Sequence, residues 1–340
     1  MSDFKIDYFD PRLLTGVINK RPLKSDIFTG FFKKQSPSPA EIFELHVKTR
    51  NISMPPAITN HAPGTMRHGD AVAAYAVKAP RFRPKRAFMA ADRFRQPAGV
   101  NPYNPQHNAL ERAIAEDMDL HREELDFALE NMCCQAMVKG KITLFDLVEG
   151  NNPQKTFTVD FQRPSNHNVM LSGSAMWTDR DSDLQGQVDS WDLMIQEETG
   201  FGSTNLLLGK NAWAAFRKHH DVEDDLDNRG IDIGHLAPRI GRKFRGTWNG
   251  LNVWVIVGTY TDLDGVVKHY LDPDYALLVA SDAASVIEFG LPVDNDCEGP
   301  VEIFAKAFDQ KDPSGTFTIA ESRPLPWPKQ PGWVVLAKVV

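Results

Sequence analysis

The sequence predicts an α+β fold. Three observations predict it: an uninterrupted helical repeat over residues 105–138, β-rich runs paired around tight-turn residues in the C-terminal half, and no alternation of strands with helices of the kind that builds a parallel sheet. The helix comes first because the other elements are organised around it. Leu110, Ile114, Met118, His121, Leu125, Ala128, Met132 and Ala136 recur at steps of three and four, which is helical spacing. Asn104 offers an N-cap side chain, Pro105 suits the first helical position, and Gly140 suits a stop just past the end. At ~1.5 Å per residue the helix would run roughly 50 Å. Its other face is acidic: Glu111, Glu116, Asp117, Asp119, Glu123, Glu124, Asp126 and Glu130 stand against Arg112 and Arg122.

The remaining elements follow in chain order. Residues 1–40 read as an arm. Its apolar groups (Leu13, Leu14, Val17, Ile18, then Ile27, Phe28, Phe31, Phe32) are separated by Pro11, Pro22, Pro37 and Pro39, so it would order by lying on another surface. Residues 41–47 read as a strand, ended by Pro55 and Pro56. Residues 67–95 read as an extended hairpin, with arms 71–79 and 86–95 flanking a turn at 80–84. An isolated two-stranded hairpin is marginal in water. It would be a solvated hairpin or a limb ordered by docking on an acidic surface of another copy. After the helix, 141–148 and 156–161 read as strands around 149–153, and 163–181 as irregular. Residues 187–198 form a helix stopped by Gly200, and 205–208 a buried strand. Residues 211–219 form a helix with Trp213 and Phe216 on one side. Residues 251–271 read as a hairpin turned by Asp264-Gly265, and 301–308 with 315–322 as another, turned around Asp312-Pro313-Ser314-Gly315. Residues 275–280, 286–289 and 332–340 add strands.

Composition sets the class. Of 340 residues, 42% are hydrophobic and 24% charged, as in ordinary globular proteins. No apolar run reaches the length of a membrane span, and the charged start MSDFKIDYFD is no secretory signal. Cys133, Cys134 and Cys297 make neither a disulfide framework nor a CxxC zinc motif, which points to a reducing compartment. The net charge of −7 argues against a general nucleic-acid binder. It hides an asymmetry. Residues 67–95 carry eight bases against two acids, and the long helix carries eight acids against two bases.

Candidate chemistry is thin. His219, His220, Asp221, Asp224 and Asp225 are adjacent rather than three or four apart, so they do not share a helix face as metal ligands would. Asp262, Asp264, Asp272 and Asp274 fail the calcium-loop spacing, and Asp179, Asp181 and Asp183 read as a solvated loop. Gly200-Phe201-Gly202 and 230–234 are not phosphate loops, and no Ser lies in a GxSxG frame. Cys133 and Cys134 read as small buried hydrophobes beside the stripe. No catalytic, cofactor or metal site is expected. An arm, a charged limb and a beam are instead the anatomy of a subunit whose open surfaces are met by other subunits. The predicted contact sets Arg81, Arg83, Lys85, Arg86, Arg93 and Arg95 of one copy against Glu116, Asp119, Glu123, Glu124, Asp126 and Glu130 of another. Opposite charge would steer this association and fix its register. Reversing Arg81, Arg83, Lys85 and Arg86 to Glu is then expected to block assembly while leaving the monomer folded.

Several markers carry a family resemblance: Val138-Lys139-Gly140-Lys141, Val159-Asp160-Phe161 with Arg163 and Asn168, and Ser172-Gly173 through Trp177 and Asp181. Ala212-Trp213-Ala214-Ala215-Phe216-Arg217, Gly258-Thr259-Tyr260 through Leu271-Asp272-Pro273, and Ala320 through Pro324-Leu325 complete them. On these, in order and across nearly the whole chain, the sequence resembles the major capsid proteins of tailed bacteriophages, in the lambda-like capsid protein E family. The resemblance implies a Hong Kong 97-type fold and a major head protein, not an enzyme. Such a protein self-assembles into an icosahedral shell around double-stranded phage DNA.

The resemblance also implies a division of the chain. Residues 1–56 would be the N-terminal arm with its first strand, and 57–98 the extended loop hairpin. Residues 99–186 and 293–340 would be the peripheral domain with spine helix 105–138, and 187–292 the axial domain. Implied partners are further copies in hexamers and pentamers, a portal protein, an optional decoration protein, and packaged DNA contacted nonspecifically, with no membrane. Some members carry a scaffolding segment before the arm; this chain has no room for one, so a separate scaffold protein is expected. Some form a Lys–Asn crosslink; Lys78 and Lys85 lie in the loop without an evident activating acid, and none is predicted. The implied location is the virion capsid, and the host cytoplasm during assembly. Two alternatives are an encapsulin-like cellular compartment shell and an intracellular globular enzyme with no recognisable site.

Overall fold

The structure is a computed structural model that describes residues 9–21, 26–48, 72–89, 109–148, 152–223, 242–261, 265–281, 285–312 and 314–340. The long helix is α-helical over Ala109–Cys134 and widens into a π turn over Gln135–Lys139. Gly140 ends it in the left-handed region, φ 67°. Asn104 and Pro105 lie outside the described residues. The wide last turn has outside partners. Arg163 forks onto the carbonyls of Met137 and Val138, at 2.8 and 2.9 Å, and Gln135 Oε1 accepts the Thr143 N–H at 2.8 Å. These satisfy groups that the end of a helix leaves open.

The apolar stripe is buried at Ile114, Met118, His121, Leu125, Met132 and Ala136, and half-buried at Ala128. Toward the C-terminus Leu129, Cys133, Cys134 and Met137 join it. The helix therefore bridges two cores. Its first half packs with Leu14, Ile18, Ile303, Ala305 and Ala320, and its second half enters the main core. The acidic face expected opposite the stripe is corrected by this widening. Asp126 and Glu130 are buried, and Asp126 pairs with Arg122 at 3.0 Å.

The main core surrounds a six-stranded sheet. Its order is Asn168–Met170, Val334–Lys338, Tyr275–Val279, Asn205–Leu208, Leu251–Ile256, Arg242–Trp248. Leu251–Ile256 runs parallel to Asn205–Leu208, and Val334–Lys338 parallel to Asn168–Met170, so the sheet is mixed. Helices Leu184–Thr199 and Lys210–Phe216 pack on it through Trp177. Its ring lies 6.0 Å from Trp191 and 5.7 Å from Phe216. The hairpin expected over 251–271 is divided. Leu251–Ile256 pairs with Arg242–Trp248, and the small hairpin is Thr259–Thr261 with Val267–His269. Pro324–Pro328 is a strand despite three prolines. It lies at the edge of a three-stranded sheet, paired with Ser285–Phe289, and Pro324, Pro326 and Pro328 alternate so that their missing N–H groups face away from the partner.

The pairing expected between 71–79 and 86–95 does not form. Val72–Lys78 pairs with Ile42–Lys48, and Lys85–Met89 joins Gly315–Glu321, itself paired with Phe304–Gln310. Residues 80–84 are thus a crossing between two sheets, pinned by the mutual backbone bonds of Phe82 and Ser322, both 3.0 Å. Docking on a strand that already lines a core buries more than a free hairpin could. The N-terminal stretch also uses its own chain. Pro11–Lys20 is a helix capped by Asp10, with Leu14 and Ile18 buried against the long helix. Ile27, Phe28 and Phe32 enter the main core around the short turn Thr29–Phe31.

Candidate functional site

Two places gather the charged residues singled out by sequence. The first is a knot where the 80–84 crossing meets the body. Glu321 is 0% exposed, yet one of its oxygens accepts from Arg81 at 2.7 Å and Arg83 at 2.9 Å, and the other from the Val293 N–H at 2.8 Å. Arg83 also pairs with Asp294 at 2.8 Å, and Lys306 bridges Asp294 and Asp296 at 2.7 and 2.9 Å. Burial alone would raise the Asp294 carboxyl. Its bonds from Lys306, the Asp296 N–H and Arg83 outweigh that and hold it below the ordinary aspartate value. Beside the knot lies an open groove of about 600 Å³, lined by Arg83, Val293, Asp294, Asp296 and Lys306 among others. Its charges are paired with one another, which makes this a structural joint rather than a site with a spare acid or base.

The second place is the long helix. The Glu130 carboxylate accepts the N–H groups of Phe28 and Thr29 and the Thr29 hydroxyl, so the beam holds the N-terminal segment by its backbone. Burial pushes this carboxyl above the ordinary glutamate value, against the pull of those bonds. Arg242 donates to the neighbouring Ile27 carbonyl at 3.1 Å, its guanidinium 4.4 Å from the Trp254 ring centre. His121 is buried, and burial holds its imidazole below the ordinary histidine value. Thr318 gives its hydroxyl proton to Asp117 at 2.8 Å, so its oxygen accepts from His121 Nε2 at 3.1 Å. That fixes the ring between helix and strand.

Arg81 and Arg83 are in the knot. The Lys85 ammonium sits 4.1 Å from the Phe317 ring centre. Arg86 pairs with Glu124 within its own chain rather than across copies. Arg93 and Arg95 lie outside the described residues. Glu116 pairs with Arg112 at 2.8 Å and Asp119 with Arg21, and Glu123 is half-buried. Asp126 and Glu130 face inward, as above. Of the potential crosslinking lysines, Lys78 pairs with Glu41 at 2.5 Å. Sequence reasoning missed Glu321, Asp294 and Arg242, whose partners are remote in the chain.

Among the described residues no group of three or more His, Cys, Asp or Glu side chains could hold a metal ion. His219 is buried with Nε2 3.0 Å from Ser182 Oγ, while Asp224 and Asp225 lie outside the described residues. Cys133 and Cys134 are buried, and burial pushes both thiols up, away from reactive thiolate.

The chain is 26% identical over 221 residues to the major capsid proteins of Escherichia phage N15 and Enterobacteria phage phi80. Each match takes in 60% of this chain and 61% of the relative's length. A solved prophage capsid protein of Escherichia coli CFT073 has the same fold, with a TM-score of 0.74 at 17% identity over 98% of this chain and all of that one. The α+β architecture is therefore that of a capsid fold. The family model described as Phage major capsid protein E matches residues 10–339, and the chain belongs to that family.

Proposed function

We propose that this chain is a major head protein, a tile that assembles with its own copies into an icosahedral phage shell around double-stranded DNA. The observation that carries the reading is the hairpin of Ile42–Lys48 and Val72–Lys78. Among the described residues these strands pair with each other and with no third strand. A seven-residue pair left without a sheet to join is a limb shaped to lie on something else. Family membership points the same way, toward a structural rather than an enzymatic role.

The limb of this reading begins earlier than residue 57, since its first strand is Ile42–Lys48, and residues 49–71 lie between its strands. We place its landing site on the long helix of a neighbouring copy. The outward side there carries Glu116, Leu120 and Phe127, and 120 and 127 share a face two turns apart. Of the acids first expected to face another copy, Glu116, Asp119 and Glu124 stand at exposed positions, while the knot arginines act within the chain. The strands and helices that fall within 187–292, on a sheet continued by Asn168–Met170 and Val334–Lys338, would belong to the axial lobe, which would meet its copies in hexamers and pentamers. A separate scaffold protein, a portal, a decoration protein and nonspecific contact with the packaged DNA complete the proposed partners, and the virion capsid is the proposed location.

Expression alone and with the scaffold protein encoded beside it, followed by sedimentation and electron microscopy, tests the reading. Closed shells or five- and six-membered rings are expected. A small oligomer of fixed size under both conditions would overturn it.

A further inference from the structure

The limb can serve assembly only if it leaves the body in a fixed direction, and one side chain is placed to set that direction. Arg323 is 2% exposed. Its guanidinium reaches both chain crossings at the limb's root. Nη2 donates to the Ala79 carbonyl at 3.3 Å, where the chain leaves the limb, and stands 3.7 Å from Glu41 Oε1, where the chain enters it. Nη1 donates to the Leu291 carbonyl of the body at 3.2 Å. Glu41 in turn pairs with Lys78 across the two strands. The backbone around Arg323 belongs to the body: its carbonyl accepts the Gly290 N–H at 2.9 Å, and Phe43 packs beside Gly290, where an added Cβ would lie 3.5 Å from the Phe43 ring and from the Ala40 carbonyl.

We infer that Arg323 is the positioning residue that fixes the angle of the Ile42–Lys48/Val72–Lys78 limb, and so whether it can land on a second copy. The planar fork suits this role because it binds two carbonyls and a carboxylate in set directions, which a lysine ammonium does not. The lever is long. Seven residues per strand span about 23 Å, so a swing of about 10° at the root moves the far end by about 4 Å. That is enough to lose register on a neighbour. The purpose assigned to the pivot rests on the shell-forming reading; the pivot itself does not.

Spin labels on cysteines introduced at Ala76 in the limb and Lys311 in the body, with Cys297→Ser, measure the limb's direction in the unassembled chain. A narrow distance distribution is expected for the parent. In Arg323→Met it should broaden while the chain still melts cooperatively, at a somewhat lower temperature, and shell yield should fall at least about tenfold, equivalent to about 1.4 kcal/mol. Arg323→Lys should lie between the two, and serves if the Met variant does not fold. An unchanged distribution in the substituted chain overturns the pivot. A broadened one with normal shell yield overturns its role in assembly. A parent that never forms shells, with the distribution still broadened by the substitution, instead counts against the shell-forming reading and leaves the pivot supported.

Discussion

Glu130, near the end of the long helix, takes the backbone N–H of Phe28 into a buried bond. A carboxylate in that position does for the turn Thr29–Phe31 what an N-cap residue does for a helix, but across about a hundred residues of chain. It explains why the N-terminal stretch, read as an arm, lies along its own beam.

The first prediction concerns that bond. Glu130→Ala orphans two backbone donors and should cost about 1–3 kcal/mol for each that stays buried. The pH dependence is distinctive. The folded carboxyl keeps its proton to higher pH than the ordinary value of 4.5. Between those two values the native state binds more protons than the unfolded one, so stability falls as pH rises across that window. Urea midpoints of the parent and of Glu130→Gln from pH 4 upward should diverge in that sense, the parent losing ground. Other groups are common to both chains and cancel.

The second prediction concerns the knot. Glu321→Ala leaves Arg81 and Arg83 without their shared partner, and breaking a buried pair from one side costs about 3–5 kcal/mol, here near the lower end because both arginines reach solvent. Asp294 behaves oppositely to Glu130. Its folded carboxyl titrates below the ordinary 3.8, so its stabilisation is present above that value and is lost as pH falls through the folded one. Asp294→Asn should therefore flatten the acid limb of a stability profile. The same geometry changes the charge-reversal experiment suggested by sequence. Arg81→Glu with Arg83→Glu would set acids against a fully buried carboxylate, so loss of the folded monomer is now expected before any effect on assembly. Thermal melting of the unassembled variant distinguishes the two expectations.

A third prediction follows from the end of the beam. Gly140→Ala meets a left-handed φ of 67°, worth about 1–2 kcal/mol. Its new Cβ would also lie 2.9 Å from Arg163 Cβ. Relieving that contact displaces the fork that holds the Met137 and Val138 carbonyls. Gly140→Ala and Arg163→Ala should therefore be individually destabilising and clearly less than additive in the double variant, as chemical denaturation would read.

How much of this was legible in the sequence depended on distance along the chain. The helix was legible because its repeat runs unbroken, and the hairpin of Phe304–Gln310 with Gly315–Glu321 because its turn lies between its own strands. Partners far apart were not. Nothing local tells 72–78 to pair with 42–48, or 85–89 with 315–321, and a proline-rich edge strand gives no β signal at all. The charges were legible as composition but not as pairs. Arg122, Asp126 and Glu130 stand at steps of four along the flank of the apolar stripe, a row whose burial follows once the stripe widens toward Leu129 and Cys133. Arg323 sat inside a recognised marker, but its role needed both ends of the limb in view.

The last prediction separates the two faces of the beam. Leu125 is 5% exposed and packs with the core of Leu14, Ile18 and Ala305. Leu125→Asp buries a carboxylate without a partner and should cost several kcal/mol, with a matching fall in melting temperature. Leu120 and Phe127 are 40% and 41% exposed on the outward face. Leu120→Lys and Phe127→Lys should leave melting nearly unchanged, within about 0.5 kcal/mol, since surface substitutions away from caps and networks do little. If that face receives a neighbour's limb, the same two variants should lose shells in the electron microscope, because each puts a cation into an apolar contact and weakens the negative side that would steer a basic partner. Shells of normal yield from the double variant would mean that the limb lands elsewhere. A double variant that melts early would mean that the outward face is part of the core.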